Sequence, residues 1–404
     1  MKNSTNFPDC FTIEISSFGK FGEGFGLYKQ KPVFVLGAIP DEIVSVRPIL
    51  TKRNYVLAQI AAIIKQSPYR VSAPCPYFGP CSGCQWQHIA YEYQLELKKQ
   101  LVVEACKANK SVHIKAIAST LASPLVFGYR NHARFTVRNH GMIGFTNKDT
   151  KRFVPIDNCM LMDNWINETL STLQHHCAET SQLSLRYGTY TGSYLVQPKL
   201  VSNRISIATG TKSYEERILN HAFRISSPSF FQVNTEQMIQ MVNLISDYLQ
   251  FEGDEVVVDA YAVVGTFAVL LSPNVKKMIA IEESASAIAD ATINIKGIPN
   301  IELRKGKTEH ILKNLTEPLH TVILDPPRVG CERSVLETLV SIAPKTVVYV
   351  SCDPDSFARD LLILEDGGFV VDKIQPIDMF PQTRHVELVS FLTYKVTSSG
   401  ENKL

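Results

Sequence analysis

The residues with the clearest capacity for chemistry lie near the end of the chain. The stretch VVYVSCDP, at residues 347–354, is an apolar run that stops at a serine and a cysteine. A cysteine beside such a run is usually a small hydrophobic residue of the core, but Cys352 lies at the predicted tip of a strand, before a loop that Pro354 stiffens, and is placed to act as a nucleophile. In the later stretch MFPQTRHVELVSF, Glu387 adjoins another apolar run and can serve as a general base. The thiol and the carboxylate together predict covalent catalysis with a proton transfer.

Three further cysteines lie close together in a segment rich in proline and glycine. They are Cys75, Cys81 and Cys84, with a C-x5-C-x2-C spacing. Cys159 lies far downstream in PIDNC. Four cysteine ligands suit an iron–sulfur cluster or a zinc ion, and the spacing alone does not choose between them. Reduced cysteines without a metal are the alternative interpretation.

The stretch EVVVDAYAVVGTFAVLL, at residues 255–271, has the pattern of a cofactor-binding loop. It predicts a strand that ends at Asp259, a tight turn at Gly265 and a helix that Thr266 caps. Glu282 ends the next apolar run, where an acidic side chain can bind a ribose diol. Because the loop lacks G-x-G-x-x-G, a dinucleotide is disfavoured, and S-adenosylmethionine, a nucleoside without phosphates, fits better.

Another apolar run ends in LDPPR, at residues 324–328. The carboxyl ends of parallel strands meet at one edge of a sheet, so we expect Asp259, Asp325 and Cys352 to face one crevice. The DPP turn is shared by several nucleic-acid methyltransferases, so it indicates a class of enzyme rather than a substrate.

The pattern of apolar runs and turns changes twice along the chain. From about residue 225, strand-like runs alternate with helical patterns, which predicts an α/β domain with a largely parallel sheet. Residues 10–65 contain short strands and glycine turns, as is typical of a small β-barrel, and the region between them reads as α+β. The predicted domains are 1–66, 67–224 and 225–404.

Basic and aromatic residues surround the glycine turns of the predicted barrel. They are Lys20, Phe21, Phe25, Tyr28, Lys29 and Lys31. This mixture suits single-stranded nucleic acid, through charge attraction and base stacking. Solvated lysines on an ordinary surface hairpin explain it equally well.

Overall composition limits the classes of protein that remain. The chain has 404 residues and a net charge of +2, so it is expected to hold two or three domains and to contact nucleic acid only through local patches. It contains no apolar segment of about 18 residues, the length of a membrane span. Its N-terminal residues lack the apolar run of a leader, and its nine cysteines suit metal binding or catalysis. We expect a cytoplasmic protein.

A thiol and a base together solve the problem of methylating uracil at C5. Addition of a thiolate to C6 makes C5 nucleophilic toward a methyl sulfonium, and a base then removes the C5 proton so that the thiol can leave. Seven motifs carry a resemblance to enzymes of this kind: C-x5-C-x2-C-x-W (75–86), YRN-x-x-RF (129–135), FFQVN (230–234), D-x-Y-x-x-x-G-T-F (259–267), DPPR-x-G (325–330), SC-x-P (351–354) and MFPQT-x-H-x-E (379–387). The chain resembles the RNA uracil-5-methyltransferases, and among them the branch that acts on 23S ribosomal RNA.

The resemblance implies a fold, a set of ligands and a site. It implies a Rossmann-like methyltransferase domain, an N-terminal TRAM barrel of OB-like type and a central domain with an iron–sulfur loop. Cys352 would add to a uridine of 23S ribosomal RNA and Glu387 would remove its C5 proton. Neither a membrane nor an obligate protein partner is implied. The residues that would contact S-adenosylmethionine are Gln232, Tyr261, Thr266, Glu282 and Asp325. The residues that would hold a [4Fe–4S] cluster are Cys75, Cys81, Cys84 and Cys159.

Three positions depart from the family pattern. Val263 stands where the cofactor loop usually has its first glycine, and a β-branched residue is costly there if the position needs a positive φ. Lys307 replaces an Asp or Asn, and Asp353 replaces an Asn. Three alternatives therefore stay open: a transfer RNA methyltransferase, a non-catalytic RNA-binding relative with an impaired cofactor loop, and a redox sensor built on the cluster. The presence of both Cys352 and Glu387 favours catalysis.

Overall fold

A computed structural model describes residues 7–19, 22–109, 116–148 and 150–395. Lys20 and Phe21, which belong to the predicted basic and aromatic set, lie outside these residues. The chain divides into two compact units. The smaller unit holds the described residues up to Gln94 with residues 146–154 and 382–384, and the larger unit holds the rest. No helix of the described part is long and apolar enough to cross a bilayer.

The strands are β1 (Phe11–Glu14), β2 (Ser17–Phe18), β3 (Gly24–Tyr28), β4 (Lys31–Leu36), β5 (Ile43–Thr51), β6 (Val56–Lys65), β7 (His132–Arg138), β8 (Met142–Thr146), β9 (Phe153–Pro155), β10 (Gln182–Tyr187), β11 (Tyr194–Gln197), β12 (Ser213–Ile218), β13 (His221–Ser226), β14 (Val256–Asp259), β15 (Lys277–Glu282), β16 (Ile301–Lys305), β17 (Thr321–Leu324), β18 (Thr346–Ser351), β19 (Phe369–Ile377) and β20 (Glu387–Tyr394). The helices are α1 (Tyr91–Ala108), α2 (Asn164–Leu173), α3 (Thr235–Leu249), α4 (Thr266–Leu271), α5 (Ala285–Asn294), α6 (Thr308–Ile311), α7 (Arg333–Ile342) and α8 (Pro354–Asp366), with 3₁₀ turns at Ser272–Asn274 and Leu312–Asn314.

A seven-stranded sheet forms the centre of the larger unit. Its order is β16-β15-β14-β17-β18-β20-β19. The first five of these strands are parallel, and β20 runs antiparallel to both of its neighbours. This confirms the α/β sheet that the alternating sequence pattern predicts.

The central strands of this sheet are apolar along their whole length. Every residue of β17 and β18 is buried. Successive residues join different cores: Val322 packs with Val347 in one cluster and Ile323 packs with Val348 in the other. A strand covered on both faces reads as a continuous apolar run, and each fully buried aliphatic side chain contributes about 1.5–3 kcal/mol. The rigid strands thus fix the positions of the polar residues that follow them.

The smaller unit contains a six-stranded sheet with the order β1-β5-β6-β4-β3-β2. Strands β1 and β3 are far apart in this order, yet the Ser16 N–H, just after β1, donates to the Phe25 carbonyl of β3 over 2.8 Å, so the sheet curls on itself. At Gly26 the backbone of β3 comes so near β1 that a Cβ would lie 2.2 Å from the Glu14 oxygen. On this sheet, Lys31 lies 4.9 Å from the ring centre of Phe7.

A third sheet, with the order β11-β10-β7-β8-β9, follows in the middle of the chain. Strand β7 alternates strictly between buried residues and residues that are half-buried or exposed. Helix α2 buries Ile166, Leu170 and Leu173. Such alternation is typical of an antiparallel sheet with one packed face and one solvated face.

Candidate active site

Cys352 and Glu387 lie at the ends of adjoining strands. Ser351 of β18 pairs with Leu388 of the antiparallel strand β20, so Cys352 follows β18 where Glu387 begins β20. Glu387 is 4% exposed. Cys352 is half-buried, and its thiol is free. The register therefore brings the predicted nucleophile and the predicted base to one edge of the sheet.

The electrostatics of the pair follow from burial and from one exposed arginine. Burial raises the pKa of the Cys352 thiol to about 12, the charge of Glu387 adds to the increase, and Arg328 opposes it. Burial likewise raises the pKa of Glu387 to about 8, with a further increase from Asp325 and a decrease from Arg328. Both groups thus favour their neutral forms, and Arg328 favours the thiolate and the carboxylate.

Two more carboxylates end neighbouring strands. Asp259 is the last residue of β14 and is fully buried; its Oδ2 accepts a hydrogen bond from the Ala268 N–H over 3.0 Å. Its Oδ1 is buried without a hydrogen-bond partner. Burial raises the pKa of Asp259 to about 7, with smaller increases from Asp325 and Glu282. Loss of hydration raises the pKa of Asp325, which follows β17, to about 7 as well.

The cofactor loop has an unusual backbone. Gly265 has φ 87° and occupies the N-cap position of α4, so Thr266 is the first helical residue, and the prediction that Thr266 caps this helix is wrong. Val263 also has a positive φ, of 49°. Its N–H donates to Oε2 of Glu282 over 2.8 Å, and the Ser284 N–H donates to Oε1 over 2.6 Å. The carboxylate that ends β15 therefore holds the loop in its strained shape.

Two adjoining cavities open at these strand ends. The first encloses about 200 Å³ and is lined by Tyr261, Glu282 and Lys307, among others. The second is lined by Gln232, Tyr261, Thr266 and Asp325, together with Phe230. All five residues predicted to contact the cofactor thus line these cavities, and Tyr261 is common to both.

Comparison with known proteins gives this geometry a family. The model of the tRNA (Uracil-5-)-methyltransferase family matches residues 207–318 and 315–395. Uncharacterized RNA methyltransferases of Thermosynechococcus vestitus and Clostridium acetobutylicum are each 32% identical; each match covers 94% of this chain, with 97% and 96% of the relatives. The chain belongs to the RNA uracil-5-methyltransferase family. This family assignment makes it an RNA methyltransferase and supports S-adenosylmethionine as its methyl donor.

A solved structure shares the fold of this methyltransferase over nearly its whole length. It is the Pyrococcus abyssi tRNA (uracil-54, C5)-methyltransferase in complex with S-adenosyl-L-homocysteine. The TM-score is 0.75 at 24% identity, and the match covers 95% of this chain and 100% of that one.

Sequence reasoning missed the support behind the DPPR loop. Asp360 of α8 accepts hydrogen bonds from the Cys331 N–H and the Tyr349 hydroxyl, both over 2.7 Å. Arg359 donates to the Val329 carbonyl over 2.7 Å. Gly330 has φ 81°, and a Cβ there would lie 2.4 Å from Asp360. The helix that follows Cys352 thus fixes the loop that carries Arg328. No sequence signal linked these residues, because the contacts join separate elements.

The predicted metal ligands have less support. Cys75, Cys81 and Cys84 are half-buried, and burial, followed by the charge of Cys75, raises the pKa of Cys81. Cys159 is held by Asn167, whose side chain accepts from its N–H over 2.9 Å and donates to its carbonyl over 3.1 Å. Thiolates are the donors that an iron–sulfur cluster requires. Among the described residues, however, no group of three or more His, Cys, Asp or Glu is arranged to hold a metal ion, so the cluster stays a prediction.

Proposed function

We propose that this methyltransferase transfers a methyl group from S-adenosylmethionine to C5 of a uridine in RNA, with Cys352 as nucleophile and Glu387 as base. The observation that carries the proposal is the pairing of Ser351 of β18 with Leu388 of β20, because it supports a position for Cys352 next to Glu387 at the edge of the sheet where β17 leads to Asp325.

Each residue has a defined task in this chemistry. The bound cofactor supplies an electrophilic methyl group. The Cys352 thiol first loses its proton to solvent, which the charge of Arg328 favours, and the thiolate then adds to C6 of uracil and makes C5 nucleophilic. After C5 has taken the methyl group, Glu387 accepts the C5 proton, and the C6–S bond breaks to regenerate the thiolate. A carboxylate with a pKa of about 8 accepts and releases a proton readily near neutral pH.

Five residues are proposed to bind the cofactor because they line the two cavities. Glu282, at the end of β15, is placed for the ribose diol. Asp325 lies in the second cavity with Tyr261, Gln232 and Thr266. Buried carboxylates with raised pKa values are stabilised by a nearby cation, and the sulfonium of S-adenosylmethionine is such a cation.

The proposed substrate is 23S ribosomal RNA, on the basis of the sequence motifs. Transfer RNA is the second candidate, because the matching family model carries that substrate in its name. The Pyrococcus abyssi neighbour is named for transfer RNA and covers nearly the whole chain. Because that match includes most of the N-terminal part of this chain, the presence of an N-terminal domain does not discriminate between 23S ribosomal RNA and transfer RNA as substrate.

We also propose the three domains 1–66, 67–224 and 225–404, with the first as a TRAM-like RNA-binding barrel in a cytoplasmic protein. A [4Fe–4S] cluster on Cys75, Cys81, Cys84 and Cys159 is supported by the thiolate donor set alone. Iron and acid-labile sulfide in protein purified without oxygen would support the cluster. Stoichiometric zinc without iron, or no metal, would contradict it.

A single-turnover assay tests the chemistry. Protein is mixed with methyl-labelled S-adenosylmethionine and with unmodified 23S ribosomal RNA or transfer RNA, beside a Cys352→Ala control. We expect label in 5-methyluridine, and none with the control. Label in transfer RNA alone would identify transfer RNA, rather than 23S ribosomal RNA, as the substrate. Cofactor binding without transfer to either RNA would overturn the proposed function and favour a non-catalytic RNA-binding protein.

A further inference from the structure

The middle sheet of the larger unit has one solvated face with a basic character. Strand β7 buries Ala133, Phe135 and Val137 and turns Arg134 and Arg138 to solvent. Opposite residues of paired strands share a face. The outward side of β7 and β10, here named the β7 basic face, consists of Arg134, Thr136, Arg138, Gln182 and Ser184.

The β7 basic face itself contains no acidic residue among those that the structure describes. The outward positions of β7, and those paired with them on β8 and β10, contain no Asp or Glu among the described residues. None of the ion pairs of the described part includes Arg134 or Arg138. Glu179 lines the cleft beside Arg138, where it accepts a hydrogen bond from the Val201 N–H over 2.9 Å. Two exposed guanidinium groups therefore stand on a polar face that carries no carboxylate of its own, with Glu179 at its border.

His132, a half-buried residue on the same side of β7 as Arg134, experiences the same excess of positive charge. The pKa of His132 is lowered to about 3, first by burial and then by repulsion from Arg186, Arg130 and Arg134. Its ring nitrogen lies 3.4 Å from the Ser184 hydroxyl. An anion on this face would relieve the repulsion.

The face leads to the proposed active site. Arg186, registered opposite His132, donates to the carbonyls of Ser227 and Ser229 over 2.9 and 2.8 Å. Ser229 precedes Phe230, which lines the second cavity with Asp325. Arg134 and Arg138 are four residues apart along β7, or about 13 Å at about 3.3 Å per residue. A strand of RNA with a uridine in the crevice could extend its backbone over this length.

We propose that the β7 basic face binds the phosphate backbone of the RNA substrate. Arginine recognises phosphate through paired, charge-assisted hydrogen bonds, and such contacts position the nucleic acid without reading its sequence. The inference deepens the proposed function, because it assigns a surface to the same substrate.

The test is RNA binding by the full chain without a methyl donor. Arg134→Gln, Arg138→Gln and the double variant are compared with Arg333→Gln. Arg333 is an exposed arginine of α7 that is paired with Glu337. Affinity for a 23S ribosomal RNA transcript and for transfer RNA is measured by fluorescence anisotropy over a range of salt concentrations. A thermal melt of each variant verifies the fold.

We expect Arg134→Gln and Arg138→Gln each to bind RNA about three- to tenfold more weakly at low salt, because each loses one charge-assisted contact. Arg333→Gln should bind like the wild type. In the double variant, the slope of log K against log salt should fall by about 1.4–1.8, since each phosphate contact contributes about 0.7–0.9. In turnover, the KM for RNA should rise with little change in kcat.

Wild-type affinity and salt slope in the double variant would overturn the inference, and so would an equal loss in Arg333→Gln. Absence of RNA binding by the wild type would overturn it as well. Methyl transfer is a separate readout: a wild type that binds RNA through these arginines but transfers no methyl group would contradict the proposed function alone.

Discussion

The larger unit contains two sets of buried or half-buried carboxylates in opposite surroundings. The scaffold carboxylates are Asp290, Asp360 and Asp378, and each forms an ion pair, with Arg224, Arg359 and Lys98 respectively. The crevice carboxylates are Asp259, Asp325 and Glu387, and no ion pair of the described residues includes them. All six belong to the same unit.

The scaffold carboxylates have the surroundings expected of buried charge. Asp290 accepts from the Ser226 N–H over 2.8 Å and from the Ser229 hydroxyl over 2.6 Å. Lys98 and Asp378 are both fully buried, and Lys98 also donates to the Phe380 carbonyl over 3.0 Å. Buried charges persist where they are paired and hydrogen-bonded.

The crevice carboxylates have no ion-pair partner among the described residues, and their pKa values are raised to about 7 for Asp259 and Asp325 and to about 8 for Glu387. The difference shows that the unit pairs buried acids where it needs stability and leaves them unpaired at the strand ends. Perturbed acids in a cleft are typical of functional sites.

The largest effect is expected from removing the proposed base. Glu387→Gln keeps the shape of the side chain but does not accept the C5 proton, so turnover should fall about 10²- to 10⁴-fold. The thiol then has no route to leave, and a covalent protein–RNA adduct should accumulate on denaturing gels. Glu337→Gln, on the exposed side of α7, serves as the control. Unchanged turnover without an adduct would show that Glu387 is another scaffold acid.

A second substitution, in the scaffold set, removes the cation from a buried ion pair. Lys98→Met leaves Asp378 charged and unpaired in the core, and we expect a loss of about 3–5 kcal/mol in the free energy of unfolding, measured in urea. The double variant Lys98→Met/Asp378→Asn should recover much of this loss. Equal stability of the single and the double variant would contradict the role assigned to the pair.

A smaller effect is expected in the pH dependence of stability. The folded pKa of Glu387, about 8, lies above its unfolded value of about 4.3. The folded state therefore binds more protons between these values, and stability should fall as pH rises from about 4 to about 8. Glu387→Gln removes this penalty and should unfold at a higher temperature at pH 7, by on the order of 3 kcal/mol in free energy.

Thermal melts from pH 5 to pH 9 measure this dependence. If the melting temperatures of the wild type and of Glu387→Gln depend on pH in the same way, the pKa of Glu387 is not raised by folding. Asp378→Asn is the matched control from the scaffold set, since it removes a carboxylate of the other kind.

The smallest expected effect comes from relieving backbone strain at Val263, in the loop beside the crevice. Val263 has φ 49°, a conformation that costs a residue with a side chain about 1–2 kcal/mol. Val263→Gly should raise stability by about 0.5–1 kcal/mol, after the greater freedom of glycine in the unfolded chain is counted. Val263→Ala keeps the penalty and is the control. Equal stabilities in chemical denaturation would contradict the strain.

The crevice set was accessible from sequence because regular structure places it. Apolar runs predict the strands, and Asp259, Asp325 and Cys352 follow from the rule that parallel strands end at one edge. Val263 could be identified as a costly residue once a positive φ was considered. The wrong prediction, that Thr266 caps α4, arose because Gly265 takes the cap position.

The scaffold set could not be predicted. Lys98 and Asp378 lie 280 residues apart in sequence, and only the packed structure brings them together. Arg359 and Asp360 look like an ordinary charged pair on a helix until Gly330 is seen against them. The cysteines of the turn-rich segment depend on loop geometry, which spacing does not determine.

The strand that begins with Glu387 is the last strand of the described chain, yet it lies between β18 and β19. Synthesis therefore produces Cys352 before Glu387, and β18 gains its antiparallel neighbour only when β20 inserts between it and β19. A chain that ended before β20 would retain Cys352 without Glu387, so the thiol that we propose as nucleophile would lack the carboxylate that we propose for its release from RNA.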